Sequence, residues 1–407
     1  MKKGLFTLMF TCLLVATQAA ASPQSAWYSD ESDRMFWFMV ITDSHIGCGK
    51  SCTNDLKWAT GEAYQVIKPQ FVFNCGDLVD ATNGGLIPSA QYDQEWSAYR
   101  AILDENGMTP LNYIDMPGNH DAYFDKGLTH FLEWSIQGSL DGNTQHSVTF
   151  DDWYGKYHFL AVATSTMNGG SWWADNAALD DAEMQFIEAS FQQNADADLH
   201  FAFGHHGIHW GGSNKVGEGG VKFESLMKSN QVSAYFWGHT HDYLSEFHNG
   251  TLFRNTRSLG KSGDLNFTLA AVDHNAVEVR TFDVDDWPYL LITAPTDAQL
   301  GGGNPYTYPV PNGWTQAPVR ALVFSKSQPE SVVFRIDGGN WAPMEQVAES
   351  TWQGLFDATQ LAAGTHKARV RANPWTDSDQ EIAFFVASVA CSNGIDDDQD
   401  GLTDFPD

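Results

Sequence analysis

The chain has 407 residues, of which 43% are hydrophobic and 13% aromatic, and it carries a formal net charge of −29. This composition excludes a disordered or fibrous protein, and the length predicts two or three folded units. The 22 lysines and arginines do not cluster, so the acidic surface argues against a protein that binds long nucleic acid.

Residues 1–21 have the pattern of a secretory signal peptide. Lys2 and Lys3 precede an apolar stretch over residues 5–16, and three alanines at 19–21 form a small-residue cleavage site. The stretch is shorter than the roughly 20 apolar residues that a spanning helix needs, and no later segment has that length without charges. We therefore expect a mature chain without a transmembrane segment, located in the periplasm, on the cell surface or in the medium.

Five short apolar runs, rich in β-branched and aromatic residues, predict buried strands: MFWFMVIT (35–42), FVFNC (71–75), LNYIDM (111–116), HFAF (200–203) and SAYFW (233–237). Helical patterns lie between several of them. Asn54 is predicted to cap a helix that ends before Pro69, and a second helix is expected to begin near Asp180. This alternation predicts an α/β layered fold over residues 22–286.

A polar segment follows each of the five runs: TDSH, GD, PGNHD, GHHG and GHTHD. In open α/β sheets, ligands bind at the carboxyl ends of the strands. Histidine and carboxylate together suit divalent or trivalent metals such as Zn, Mn and Fe. Two such ions about 3.5–4 Å apart can share a hydroxide, aim it at phosphorus and neutralise the phosphoryl oxygens. The candidate site residues are Asp43, His45, Asp77, Asn119, His120, His205, His239 and His241.

These five blocks, in this order between residues 35 and 245, resemble the calcineurin-like metallophosphoesterases. The resemblance implies a four-layer α/β/β/α sandwich with a dinuclear centre of Mn, Fe or Zn. It implies that one metal is held by Asp43, His45 and His241, the other by Asn119, His205 and His239, and that Asp77 bridges them. It also implies that His120 is a catalytic histidine that binds the substrate or protonates the leaving oxygen, with the second catalytic residue, Asp121, orienting its imidazole.

The sequence departs from the family pattern at two positions. Gly207 stands where many relatives carry proline after the histidine pair, which leaves the choice between His205 and His206 as the ligand open. Asp80 replaces the tyrosine of purple acid phosphatases, so a coloured site with tyrosinate bound to iron is not expected.

Four cysteines follow the signal peptide. Cys48 and Cys52 lie in the short segment GCGKSC of an exported chain, which favours a disulfide; thiolate ligation of a metal is the alternative. Cys75 ends an apolar run and is predicted to be a buried, unreactive thiol.

The sequence pattern changes after Asp286. The stretches YLLITAP, VRALVFS, SVVFRID, KARVRAN and EIAFFVA, separated by turn-rich segments, predict a β-sandwich over residues 287–390. Its simplest interpretation is a structural or interaction module. The tract RTFDVDDWPYLLITAPTDAQ resembles the transmembrane-protein-62-like branch, in which an immunoglobulin-like module follows the catalytic domain.

The chain ends in CSNGIDDDQDGLTDFPD, residues 391–407. Asp396, Asp398, Asp400 and Asp404, with Gly401 at the turn, match the ligand pattern of a calcium loop. Pro406 and the lack of flanking helices argue against a complete EF-hand, and a solvated acidic tail is the alternative.

We therefore expect a secreted, metal-dependent phosphoesterase that hydrolyses phosphate mono- or diesters of small substrates with a hydroxide shared by two metals. The alternative is an extracellular binding or adhesion protein that retains the fold, and a nuclease is disfavoured by the acidic charge. The loops after Asp121 and around residues 168–175 would select the substrate, and four aromatic residues either line the cleft or pack: Trp172, Trp173, His209 and Trp210.

Overall fold

The computed structural model describes residues 34–165, 177–208, 216–261, 263–300, 307–375 and 378–387. The predicted signal peptide and the acidic tail, with its candidate calcium ligands, lie outside the described residues, as do the four aromatic residues of the candidate cleft loops. In the described ranges, no helix combines the length and the apolar character needed to cross a bilayer.

Eleven strands of the described residues build the first part of the chain: β1 (Met35–Ile41), β2 (Val72–Asn74), β3 (Tyr113–Asp115), β4 (His146–Asp152), β5 (Gly155–Ala161), β6 (Leu199–Phe203), β7 (Val232–Trp237), β8 (Leu244–His248), β9 (Thr251–Asn255), β10 (Asn266–Asp273) and β11 (Ala276–Asp283). One sheet has the order β11-β10-β1-β2-β3 and the other β4-β5-β6-β7-β9-β8. Strands β1, β2 and β3 are parallel to one another, as are β5, β6, β7 and β9. The five predicted strands are confirmed as β1, β2, β3, β6 and β7.

The helices of this part are α1 (Lys50–Trp58), α2 (Tyr64–Ile67), α3 (Asp93–Glu105), α4 (Asn119–Ala122), α5 (Thr129–Trp134), α6 (Gly138–Asp141), α7 (Asp181–Gln193) and α8 (Gly217–Ser229), and a π-helical turn, Ala59–Ala63, joins α1 to α2. The helix predicted near Asp180 is confirmed as α7. The Asp180 carboxylate accepts hydrogen bonds from the backbone N–H groups of Ala182 and Glu183, and Glu183 accepts one from the Asp180 N–H, which completes a capping box.

The predicted start of α1 is wrong. The helix begins at Lys50 rather than after Asn54, because the chain turns into it at Gly49, whose φ of 146° suits glycine. Its predicted end is confirmed: the helical segment stops at Ile67, and Lys68 adopts a left-handed conformation directly before Pro69.

Three clusters of buried side chains lie between the layers of sheets and helices. Between the two sheets lies an aromatic core in which the rings of Phe73 and Phe203 stack with centroids 3.8 Å apart. On the outer face of the first sheet, α1, α2 and α3 contribute Leu56, Ile67 and Tyr99 to a second cluster. On the outer face of the other sheet, α7 and α8 bury side chains in a third. The predicted mixed α/β architecture is therefore confirmed, with helices outside both sheets.

The second part is all-β in its described residues, apart from a 3₁₀ turn at Ala358–Gln360. Its strands are β12 (Tyr289–Ala294), β13 (Val310–Pro311), β14 (Ala317–Phe324), β15 (Ser331–Ile336), β16 (Ala342–Pro343), β17 (Glu345–Gln346), β18 (Thr351–Phe356), β19 (Gly364–Asn373) and β20 (Asp379–Ala387). Two sheets, β12-β14-β18-β17 and β13-β20-β19-β15-β16, contribute to one core cluster. The five predicted strands are confirmed, whereas β18 was missed because Gln353 and Gly354 interrupt its apolar run.

The two parts share a buried junction. Strands β12 and β14 add Leu291, Leu322 and other apolar side chains to the cluster below the first sheet. The Arg320 guanidinium, fully buried, donates to both carboxylate oxygens of Asp273 at the end of β10, at 2.9 and 3.0 Å. A buried bidentate pair of this kind fixes the orientation of the contacting strands.

Candidate metal centre

The candidate ligands all lie in the turns that follow strands of the two central sheets. Those after β1, β2 and β3 come from the first sheet, and those after β6 and β7 from the second. Five of them have left-handed backbone conformations: Asp43 (φ 53°), His45 (45°), Asp77 (51°), His239 (68°) and His241 (56°). Such conformations are costly for residues with a side chain and concentrate at functional sites, where they aim side chains that a regular turn would direct elsewhere.

One group of candidate ligands comprises Asp43, His45 and His241, whose potential donor atoms lie within 4.8 Å of one another. Nε2 of His241 is 3.1 Å from Oδ1 of Asp43 and 3.2 Å from Nε2 of His45. On the far side of the His45 ring, Nδ1 lies 3.0 Å from the Asp80 carboxylate, which favours a proton on Nδ1 and directs Nε2 to the group.

The second group is centred on Asn119. Its Oδ1 lies 2.9 Å from Nε2 of His205 and 2.7 Å from Nδ1 of His239. The Asn119 amide nitrogen donates to the hydroxyl of Tyr123, so the amide oxygen is the atom turned to the histidines. Nδ1 of His205 donates to the Cys75 carbonyl at 2.7 Å, which leaves Nε2 facing the group.

Asp77 lies between the two groups. Its Oδ1 is 3.3 Å from Nε2 of His205, and its Oδ2 is 3.6 Å from Nε2 of His45. Oδ1 also accepts a hydrogen bond from the backbone N–H of His120 at 2.8 Å. One carboxylate oxygen is thus directed to each group, which is the arrangement that a bridging ligand requires.

The chemistry of the converging atoms tests whether cations fit here. In a neutral His205, Nε2 carries a lone pair, and it faces the lone pairs of Asn119 Oδ1 and Asp77 Oδ1. In a neutral His45 with its proton on Nδ1, Nε2 likewise faces the oxygens of Asp77 and Asp43. Lone pairs that converge without a donor between them repel, and a cation removes that repulsion. The residues present therefore fit two metal ions that share Asp77.

The pKa values of these groups reflect the negative charge of the Asp77 and Asp43 carboxylates. Burial lowers the pKa of His205, but the carboxylates of Asp77 and Asp43 outweigh burial and raise it to about 9. Burial raises the pKa of Asp43, yet the facing histidines bring it down to about 2. Burial lowers the pKa of His239 to about 4, helped by the neighbouring His205. The centre attracts positive charge, as protons or as metal ions.

His120 lies beside the two groups with 15% of its side chain exposed. Its Nδ1 donates to the backbone carbonyl of Asp80 at 2.8 Å, and its Nε2 is 4.0 Å from Oδ2 of Asp77. Burial lowers the pKa of His120 to about 4. The ring is therefore oriented by a backbone oxygen, with Nε2 turned to the centre.

The predicted role of Asp121 in orienting His120 is wrong. The Asp121 carboxylate is completely buried and accepts hydrogen bonds from the backbone N–H groups of Leu78, Val79 and Gly118 at 2.8–3.1 Å. The carboxylate is taken up by these three N–H groups at the turns after β2 and β3, whereas Nδ1 of His120 is bound to the Asp80 carbonyl. Asp121 joins the Asp77 turn to the Asn119 turn, so it positions the centre through the backbone.

Sequence reasoning missed two residues beside the candidate metal centre, Asp80 and Lys261. Asp80, noted only as a departure from tyrosine, has its carboxylate 3.0 Å from Nδ1 of His45, and its carbonyl accepts a hydrogen bond from His120. Lys261 reaches Oδ1 of Asp80 at 2.5 Å from the loop after β9. The spacing of GDLVD carries a signal for Asp80, whereas Lys261 lies 181 residues away and has none.

The two histidines after β6, His205 and His206, make different contacts. His205 faces Asn119 and Asp77, as the resemblance implied. His206 lies next to it with its ring centroid 4.5 Å from that of His239, and its Nδ1 is 3.0 Å from the hydroxyl of Thr164. Both residues are buried, and His205, His206 and His239 also form a group with donor atoms within 4.8 Å.

The disulfide predicted between Cys48 and Cys52 is present, with Cα atoms 6.2 Å apart. It closes the loop after His45, whose carbonyl accepts a hydrogen bond from the Cys48 N–H at 3.0 Å. The alternative of thiolate ligation is not supported, since the candidate metal groups of the described residues contain no cysteine. Cys75 is buried as predicted, and burial raises the pKa of its thiol well above the usual range.

The calcineurin-like phosphoesterase family model matches residues 36–243. Transmembrane protein 62 of Mus musculus is 26% identical over 356 residues, which are 84% of this chain and 53% of the mouse protein. The chain thus spans about half the length of that curated relative.

Two solved structures are also similar to this chain. A dimetal phosphatase from Danio rerio aligns with 61% of this chain and 98% of its own, at 13% identity and a TM-score of 0.48. GAP50, the anchor in the inner membrane complex of Plasmodium, aligns with 62% of this chain and 85% of its own, at 13% identity and a TM-score of 0.45.

Proposed function

The chain belongs to the calcineurin-like phosphoesterase family, and from that premise we propose that it hydrolyses small phosphate mono- or diesters at a dinuclear metal centre. The observation that carries this proposal is that imidazole nitrogens of His205 and His45 face the two oxygens of Asp77, while the Asn119 amide oxygen faces His205 and His239. The proposed ligands are Asp43, His45 and His241 on one side, Asn119, His205 and His239 on the other, and Asp77 between them.

Two bound cations would supply an activated water nucleophile and neutralise the charge on the phosphoryl oxygens. The protein orients the side chains around the two cations. Backbone carbonyls of Cys75 and Asp80 hold His205 and His120 with Nε2 turned inward. His120 is the residue of this set whose inward nitrogen is not within bonding distance of another candidate ligand, so Nε2 can exchange a proton with the substrate or hydrogen-bond to it.

The close packing of the ligand turns supports a site built for this geometry. Gly118 and Gly238 leave no room for a side chain: a Cβ on Gly118 would overlap Asp77, and one on Gly238 would overlap Thr42 and Asp43. The backbone can therefore bring the turns from both sheets together, as a site assembled from five separate segments requires.

We also propose that residues 1–21 are a secretory signal peptide, that the mature enzyme lies outside the cytoplasm, and that residues 287–390 form an immunoglobulin-like domain. The signal pattern, the disulfide and the two-sheet core of the second part support this. Amino-terminal sequencing of the exported protein would test the cleavage site after Ala21.

For residues 391–407, calcium titration of the full chain with and without Asp396→Asn and Asp398→Asn would decide between a calcium loop and a solvated tail.

The first experiment is metal analysis of the purified protein, paired with hydrolysis of generic aryl phosphate mono- and diesters. About two Mn, Fe or Zn ions per chain and turnover that EDTA abolishes are expected. Asp77→Ala should lose both metals and activity, and Asp242→Asn, an exposed acid next to His241, is the matched control. Turnover by a metal-free Asp77→Ala protein would contradict the proposal, and a metal-loaded protein without hydrolysis would favour an extracellular binding protein.

A further inference from the structure

We propose that His206 is a substrate-binding residue whose Nε2–H donates a hydrogen bond to an oxygen of the phosphoryl group beside His205 and His239. This inference rests on the proposed function. It assigns to the second histidine of the pair a role different from that of the first, which faces Asn119 and Asp77.

Thr164, whose hydroxyl lies against the histidine pair, is fully buried. The Thr164 oxygen accepts hydrogen bonds from the backbone N–H groups of His205 and His206, at 3.1 and 3.0 Å. A hydroxyl oxygen has two lone pairs, and these two donors occupy both. Its contact with Nδ1 of His206, also at 3.0 Å, is satisfied when the hydroxyl donates and the imidazole nitrogen accepts, and this is the tautomer that we infer.

An imidazole that accepts at Nδ1 carries its proton on Nε2. Nε2 of His206 is therefore a hydrogen-bond donor and has no lone pair for a metal. This nitrogen is buried and has no hydrogen-bond partner among the described residues. A buried donor without a partner is rare in folded proteins, because leaving it unpaired costs free energy, and it indicates a group reserved for something that binds.

The position of the ring points to the ligand. The His206 ring centroid lies 4.9 Å from that of His205 and 4.5 Å from that of His239, the two histidines proposed to hold one metal. The backbone around it is held in place: the His206 carbonyl accepts from the hydroxyl of Tyr235 at 2.7 Å. A rigid N–H donor beside a cation site is suited to an anionic oxygen, and in a phosphoesterase that oxygen belongs to the phosphoryl group.

The test uses the metal-loaded full-length protein and inorganic phosphate as the probe. His206→Phe keeps a ring of similar shape without a donor, and His206→Gln restores an N–H donor. Phosphate binding by calorimetry should weaken about tenfold in His206→Phe and recover in part in His206→Gln, while both variants keep two metals per chain. In wild-type protein, the ¹⁵N NMR signals of His206 should show the Nε2–H form, and Thr164→Val should relax that preference.

Loss of one metal from His206→Phe would mean that His206 is a ligand, and would overturn the inference. Equal phosphate affinity in wild type and His206→Phe would overturn it as well, as would an Nδ1–H form of His206 in the wild-type spectrum. In each of these cases the phosphoesterase assignment stands, provided that the wild-type protein takes up metals and hydrolyses phosphate esters. A wild-type protein that takes up no metal would overturn the proposed function and this inference with it.

Discussion

Asp121 offers a sharp test of how the centre is held together. Its carboxylate accepts hydrogen bonds from three backbone N–H groups in two turns, one bearing Asp77 and the other Asn119. Asp121→Asn keeps one acceptor oxygen and puts an amide N–H₂ in place of the other, against backbone donors that need an acceptor. Burial, and after it the neighbouring Asp77, raise the pKa of Asp121 to about 8, so near neutral pH its hydrogen bonds count as neutral ones, about 0.5–1.5 kcal/mol each. An unpaired buried donor costs about 1–3 kcal/mol.

We therefore expect Asp121→Asn to lose about 2–4 kcal/mol of folding stability, which corresponds to a fall of roughly 5–10 °C in Tm. Because the Asp77 and Asn119 turns are joined through this carboxylate, metal affinity should fall with stability, by roughly 10–100-fold. Differential scanning calorimetry and metal titration would measure the two effects, with Asp242→Asn as the control for removal of a nearby charge. A variant with unchanged Tm and metal affinity but greatly reduced turnover would refute this reasoning and restore a direct role on His120.

Three further predictions address the proton donor, the junction and the second sheet. His120→Ala should keep both metals and lower kcat about 10²–10⁴-fold, measured by turnover on an aryl phosphate after metal analysis; full activity would remove His120 from the mechanism. Asp273→Asn should destabilise the fold by about 3–5 kcal/mol in urea unfolding, because it removes the carboxylate charge that faces the buried Arg320 guanidinium. Asp273→Leu combined with Arg320→Met should recover most of that loss. Burial and the neighbouring His200 lower the pKa of His158 to about 3 in the folded chain. In the unfolded chain this residue keeps its usual pKa of about 6.5, so below that pH the unfolded chain binds a proton that the folded chain does not. Stability is therefore full above pH 6.5 and falls on acidification, by about 2 kcal/mol at pH 5 from this residue. His158→Gln in metal-free protein should lose less stability between pH 7.5 and pH 5 than wild type, and parallel pH profiles would contradict the assignment.

Much of the fold could be predicted because its signals are local. Strands such as β1 and β7 are short apolar runs bounded by polar turns, and the Asp180 capping box lies within four residues of sequence. The start of α1 was missed because the turn at Gly49 belongs to the disulfide loop rather than to a side-chain cap. Strand β18 was missed because Gln353 and Gly354 interrupt its apolar run. The structure requires that glycine because a Cβ would clash with the Phe334 ring of the other sheet.

By itself, the sequence determined which side chains could form the centre. Aspartate, asparagine and histidine just past buried strands are the residue types that metals and phosphate chemistry require, and their order along the chain can be read directly. Only the tertiary structure decided what holds each side chain. His120 is oriented by the carbonyl of Asp80, Asp121 binds the backbone of two turns, and the tautomer of His206 follows from the Thr164 hydroxyl. The physical reason is that backbone N–H and C=O groups are the same at every residue. Which of them a buried side chain meets depends on how the strands pair and how closely the turns approach, because partners such as these lie up to 43 residues apart.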